Sequence, residues 1–171
     1  MKKSIVFCFL LSLVNHLTGQ KDSWHMVKGK ITTPWADSVN PNNVLPEYPR
    51  PHLKRDNWTN LNGLWQYTVL PESGDENIPL SFRGNILVPF AIESALSGVG
   101  TNVGKDSVLW YQRTITVPGK RKEKRILLHF GAIDWRSDIY LNGAKVASHE
   151  GGYDPFTVDI TNSLRKGTSQ Q

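Results

Sequence analysis

From residue 56 onward the chain alternates between short apolar runs and turn-forming residues. Leu64-Trp65-Gln66-Tyr67-Thr68-Val69 is aromatic and β-branched, and Pro71 with Ser73-Gly74-Asp75 closes it, which predicts a strand. Ile86-Leu87-Val88 stops at Pro89, and the longest run, Val108 to Val117, ends at Pro118-Gly119. Ile126-Leu127-Leu128-His129-Phe130 and Asp138-Ile139-Tyr140-Leu141 follow. Asn142-Gly143 then leads into Ala144-Lys145-Val146-Ala147, and Phe156-Thr157-Val158-Asp159-Ile160 is a last alternating strand. Asn-Gly between two such runs predicts a hairpin, because a type I′ turn needs positive φ at both central residues. No window of eleven or more residues carries an i, i+3, i+4, i+7 stripe. The pattern predicts an all-β fold of two packed antiparallel sheets.

The first part of the chain lacks either period. Pro34, Pro41, Pro46, Pro49 and Pro51 punctuate residues 21–55, each biasing its predecessor toward extended backbone. This stretch reads as an arm laid over a surface, with Trp24, Trp35 and Tyr48 as its expected anchors. Ahead of it, Lys2-Lys3 and the ten-residue apolar run Ile5–Val14 have the form of a signal peptide, too short to span a bilayer. Cleavage near Gly19 is expected, leaving no membrane anchor. The organisation predicted is therefore 1–20 signal peptide, 21–55 arm and 56–171 β-domain, exported to a bacterial periplasm. Removal of residues 1–20 takes away Cys8, the only cysteine, so the mature fold rests on packing alone.

Composition narrows the function classes. With 39% apolar and 20% charged residues, the 171-residue chain can build one core, and it is shorter than a catalytic barrel of about 250 residues. Its formal charge of +5 falls to +3 once Lys2 and Lys3 are gone, too mild to argue for a nucleic-acid partner. The basic run Lys120–Arg125 reads as a solvated hairpin tip. No phosphate-loop, dinucleotide, zinc-protease or serine-hydrolase motif is present, and the five scattered histidines show no metal-ligand spacing. His129, inside a strand, reads as a packed imidazole. No metal or cofactor is expected.

The most informative stretch is Ser148-His149-Glu150-Gly151-Gly152-Tyr153-Asp154-Pro155. Its two glycines fit a tight turn that needs positive φ, or a backbone that approaches something closely while Glu150, Tyr153 and Asp154 meet sugar hydroxyls. Asp134-Trp135 is a second candidate: an acid beside an indole suits a sugar face, and a Trp buried between sheets suits it equally.

Taken in order, these residues resemble a known family. One set is Asn60-Leu61-Asn62-Gly63-Leu64-Trp65, Val88-Pro89-Phe90 with Glu93-Ser94, Trp110-Tyr111-Gln112-Arg113 and Val117-Pro118. The other is Phe130-Gly131-Ala132-Ile133-Asp134-Trp135, Tyr140-Leu141-Asn142-Gly143, Glu150-Gly151-Gly152-Tyr153 through Phe156, and Asp159-Ile160-Thr161. Across about residues 47–164 the chain is similar to the N-terminal sugar-binding domain of glycoside hydrolase family 2, the β-galactosidase and β-glucuronidase group. The resemblance implies a jelly-roll (galactose-binding-like) β-sandwich, incomplete at its C-terminus, with Leu164–Gln171 as the start of a strand cut short. It also implies a β-glycoside ligand and further domains as partners. Family chemistry is retaining hydrolysis by two Glu residues of a barrel later in such chains, so no residue here is assigned a catalytic role. Glu150, Gly151, Gly152, Tyr153, Asp154, Asp134 and Trp135 are the expected carbohydrate-facing residues. A free-standing lectin-like sandwich that binds glycans without hydrolysis is the alternative.

Overall fold

A computed structural model describes residues 24–49, 51–72, 77–117, 124–165, 167 and 169–171. The signal-peptide segment, the Ser73-Gly74-Asp75 turn, Pro118-Gly119 and Lys120–Glu123 of the basic run lie outside the described residues.

All the described strands pair antiparallel. Strand β1 (Gly63–Pro71) lies between β2 (Gly84–Val88) and β3 (Ser107–Gln112), giving a sheet in the order β2-β1-β3. The short β4 (Ile115–Thr116) pairs with β9 (Ser169–Gln170). Strand β5 (Leu127–Phe130) pairs with β8 (Phe156–Asp159), and β6 (Arg136–Leu141) with β7 (Ala144–Glu150). Each apolar run read from the sequence is found in a strand, and no helix longer than a 3-10 turn occurs among the described residues.

Successive side chains point to opposite faces of a strand, so β2, with two consecutive residues buried, is covered on both faces. Ile86 and Leu87 on β2 are fully buried. A second cluster gathers Leu141, Val158 and Ile160 with Leu128, Phe130, Val146, Phe156 and Leu164 around it. Strand β3 reaches this half of the molecule through Trp110, whose ring lies 5.6 Å from Tyr140 on β6. The Asn142-Gly143 hairpin forms as predicted, with φ of 53° and 85°. Asn142 also ties down the tail: its side-chain amide donates to Gln170 Oε1 at 2.8 Å, and its Oδ1 accepts from Gln171 N at 3.1 Å. Gln170 is almost wholly buried there.

Three expectations change. The run Val108 to Val117 is two strands, not one. At Arg113 the guanidinium turns in to donate to the carbonyls of Leu61 (2.5 Å) and Asn62 (3.0 Å), and lies over Trp65. The chain leaves the β1 sheet there and pairs with β9 instead. Strand β7 is longer than Ala144–Ala147 and carries Glu150 as its last residue, directly opposite Arg136. In the arm, Trp24 and Tyr48 do anchor, the first donating to Leu96 O at 3.1 Å and the second meeting Trp58 edge to face at 4.9 Å. Trp35 does not: its side chain is 75% exposed, and the small Ala36 and Val44 are buried in its place.

Candidate functional site

The two candidate stretches, sixteen residues apart in sequence, meet at one end of the β6–β7 hairpin. Antiparallel pairing of Arg136 with Glu150 forces this, because whatever precedes β6 must then lie beside whatever follows β7. The Gly151 amide donates to the Trp135 carbonyl at 2.7 Å, extending the ladder by one step past the strands. Asp134 and Trp135 are joined by a cis peptide bond.

The two glycines of the turn meet different backbone needs. Gly151 has φ of +127°, a conformation that side chains disfavour. Gly152 is there for closeness: a Cβ built on it would stand 2.6 Å from Asp134 Oδ1 and 3.1 Å from its Cγ. What the backbone approaches is therefore an acid of the same chain. Beyond the turn, Trp135 is 63% exposed and Tyr153 96% exposed, so neither is a core aromatic. Asp134, Glu150 and Asp154 are also exposed. The site is thus an open rim with two unburied rings, three carboxylates and a side-chain-free turn.

The rest of the hairpin is built as support. Asp138 accepts from Ser148 Oγ at 2.6 Å and pairs with Lys145 at 2.9 Å. Burial alone would raise the Asp138 carboxyl. The Ser148 hydroxyl, Lys145 and Arg136 outweigh it and hold that carboxyl below its ordinary range. Ser137 and His149 oppose one another in the register, and both were missed in the sequence. Their signal was parity: Ser137 shares its side of β6 with Ile139 and the buried Leu141. Ser137 Oγ and His149 Nε2 are shielded from solvent without a hydrogen-bond partner. The His149 ring stacks on Phe156 at 4.0 Å and 15°, and Phe156 stacks in turn on Phe130 at 4.6 Å.

Other candidates resolve into structural roles. His129 stacks against Trp58 at 5.8 Å, and its Nδ1 shares a 2.8 Å hydrogen bond with Thr157 Oγ1. Arg125, from the basic run, pairs with Asp159 at 2.8 Å. Among the described residues no group of three or more His, Cys, Asp or Glu side chains converges as a metal site would require.

Comparison with known proteins agrees on one family. Residues 98–171 match the model of the glycosyl hydrolase 2 galactose-binding domain-like family. Among curated relatives, the β-glucuronidase of Paenibacillus borealis is 27% identical over 67% of this chain and 20% of its own length. That of Canis lupus familiaris is 28% identical over 70% of this chain and 20% of its own. The β-galactosidase of Thermoanaerobacter pseudethanolicus is 37% identical over 35% of this chain and 8% of its own. Of solved structures, Faecalibacterium prausnitzii β-glucuronidase superposes with a TM-score of 0.55 and 26% identity, covering 72% of this chain and 21% of that one. The Lactobacillus rhamnosus enzyme does so with a TM-score of 0.52 and 29% identity, covering 64% of this chain and 19% of that one. The chain thus spans about a fifth of the length of the β-glucuronidases it matches. By family model, relatives and fold alike, the chain matches the galactose-binding-like β-sandwich domain of glycoside hydrolase family 2.

Proposed function

We propose that this domain is the non-catalytic carbohydrate-facing module of a larger, exported retaining β-glycosidase, with β-glucuronides or β-galactosides as its substrates. Hydrolysis of the glycosidic bond belongs to two carboxylates about 5 Å apart, on a domain beyond these residues. Asp134, Glu150 and Asp154 serve recognition. The observation that carries this reading is the convergence of Asp134-Trp135 with Glu150–Asp154 at one hairpin end. Exposed faces of Trp135 and Tyr153 suit the apolar face of a pyranose, and the carboxylates suit its hydroxyls. The domain braces its catalytic partner and closes one side of the sugar site.

The test is titration of the protein with methyl β-D-glucuronide and methyl β-D-galactoside, followed by calorimetry or ligand-observed NMR. The expected result is binding that falls about tenfold or more in Trp135→Ala and Tyr153→Ala, the scale of losing an aromatic anchor. Equal affinity in parent and both variants would sink the assignment. An immunoblot of a periplasmic extract against residues 58–69 tests the setting. A band several times the size of this chain supports the multidomain glycosidase, and one near its own size favours a free-standing lectin-like protein.

A further inference from the structure

The β6–β7 hairpin holds two polar atoms that the arrangement above does not use. Ser137 and His149 are paired across the two strands, so their side chains project from the same face, with Cβ atoms about 5 Å apart. Ser137 Oγ and His149 Nε2 are both buried and unpartnered. Leaving such groups unsatisfied is costly, and native structures do so rarely. The imidazole has little freedom to turn away, since it lies flat on Phe156. Its Nε2 edge faces the turn: a Cβ built on Gly151 would stand 3.6 Å from that nitrogen and 3.6 Å from Asp154 Oδ2. The absence of a side chain at Gly151 thus leaves His149 and the Asp154 carboxylate on two sides of one small space.

We infer that Ser137, His149 and Asp154 form a subsite beneath the Gly151-Gly152 turn that binds a single hydroxyl group. Chemistry fixes the class of ligand. A serine hydroxyl donates and accepts, and an imidazole Nε2 does one or the other according to tautomer. The Asp154 carboxylate, on the other side of the space, only accepts. A neutral O–H donates its one proton to Asp154 and accepts from the Ser137 hydroxyl or a protonated His149 Nε2, whereas an anionic group would meet the like charge of Asp154. The hydroxyl comes either from a carbohydrate, in which case the inference rests on the binding role proposed above, or from a held water molecule. In the first case Ser137 and His149 set which sugar hydroxyl is accepted.

The test uses Ser137→Ala, His149→Phe and the double variant of the full chain. Phe keeps the stack on Phe156 and removes the nitrogen. Affinity for the two methyl glycosides and thermal stability are read together. A carbohydrate hydroxyl is indicated by an affinity loss of about tenfold in each single variant, with the melting temperature held or raised. A water is indicated by unchanged affinity and a melting temperature lowered by a few degrees in each single variant. In both cases the double variant loses less than the two singles together, because one bound group links the two side chains. The inference is overturned if both variants melt at or above the parent temperature with unchanged affinity, or if His149→Phe alone has an effect. Trp135→Ala separates it from the broader reading: loss of binding there, with Ser137→Ala and His149→Phe unchanged in both affinity and melting temperature, removes the subsite and leaves the carbohydrate role standing. If the parent binds neither glycoside, the carbohydrate role falls and the melting temperatures alone decide for or against the held water.

Discussion

Gly152→Ala is the sharpest perturbation of the turn, because its cost has a named cause. The added Cβ would stand 2.6 Å from Asp134 Oδ1, 3.1 Å from Cγ and 3.3 Å from Cβ. The first two distances lie well inside or at the edge of ordinary contact. Rotating the carboxylate relieves them, while the third belongs to an atom fixed by the backbone. Overpacking of this kind costs about 1–3 kcal/mol. At roughly 2–4 °C per kcal/mol for a domain of this size, the melting temperature falls measurably. Asp134→Ala deletes Oδ1 and Cγ and leaves only the 3.3 Å contact, so Gly152→Ala in that background costs far less. The expected coupling is about 1 kcal/mol or more, read from urea unfolding followed by tryptophan fluorescence. Gly151 supplies the control. Its nearest neighbours to a built Cβ are 3.6 Å away, but its φ is +127°, so Gly151→Ala is penalised through the backbone and Asp134→Ala leaves that penalty intact. Additivity of Asp134→Ala and Gly152→Ala within about 0.5 kcal/mol, or rescue of Gly151→Ala by Asp134→Ala, would refute the packing argument.

Two further expectations concern the frame around the site. Asp159 accepts from the Thr161 hydroxyl at 2.5 Å and the Thr161 amide at 3.0 Å, and pairs with Arg125; these hold its carboxyl down to about 2 from an ordinary 3.8. A depressed carboxyl contributes its stability fully above the ordinary value and loses it as pH falls toward the folded one. Parent stability therefore drops between about pH 4 and pH 2, and Asp159→Asn flattens that part of the curve; an unchanged slope in acid unfolding would rule the contribution out. Arg113→Met should cost about 2–3 kcal/mol in chemical unfolding, since it orphans the carbonyls of Leu61 and Asn62. Arg113→Lys should recover less than half, because an ammonium lacks the planar fork that meets two carbonyls and lies over Trp65; equal stability of Lys and Arg would contradict this.

Local signals in the chain were enough for its strands and its hairpin. Alternation and turn chemistry act over a few residues, so the run around Trp65-Gln66-Tyr67, the β6 and β8 segments and the Asn142-Gly143 turn were all legible, as was an arm without strand period. The seven residues of the rim stood in the sequence as two separate stretches, with nothing local to join them. Tertiary structure decided what those signals leave open. A continuous apolar run broke at Arg113 because two carbonyls of a distant loop captured its guanidinium. Exposed Trp35 and buried Ala36 show that residue type alone does not choose an anchor; the surface opposite it does. The union of Asp134-Trp135 with Gly151-Gly152 came from strand register, and so did the pairing of Ser137 with His149. Register is a relation between strands: each sequence segment states its own alternation, but only the folded pair fixes which residues face each other.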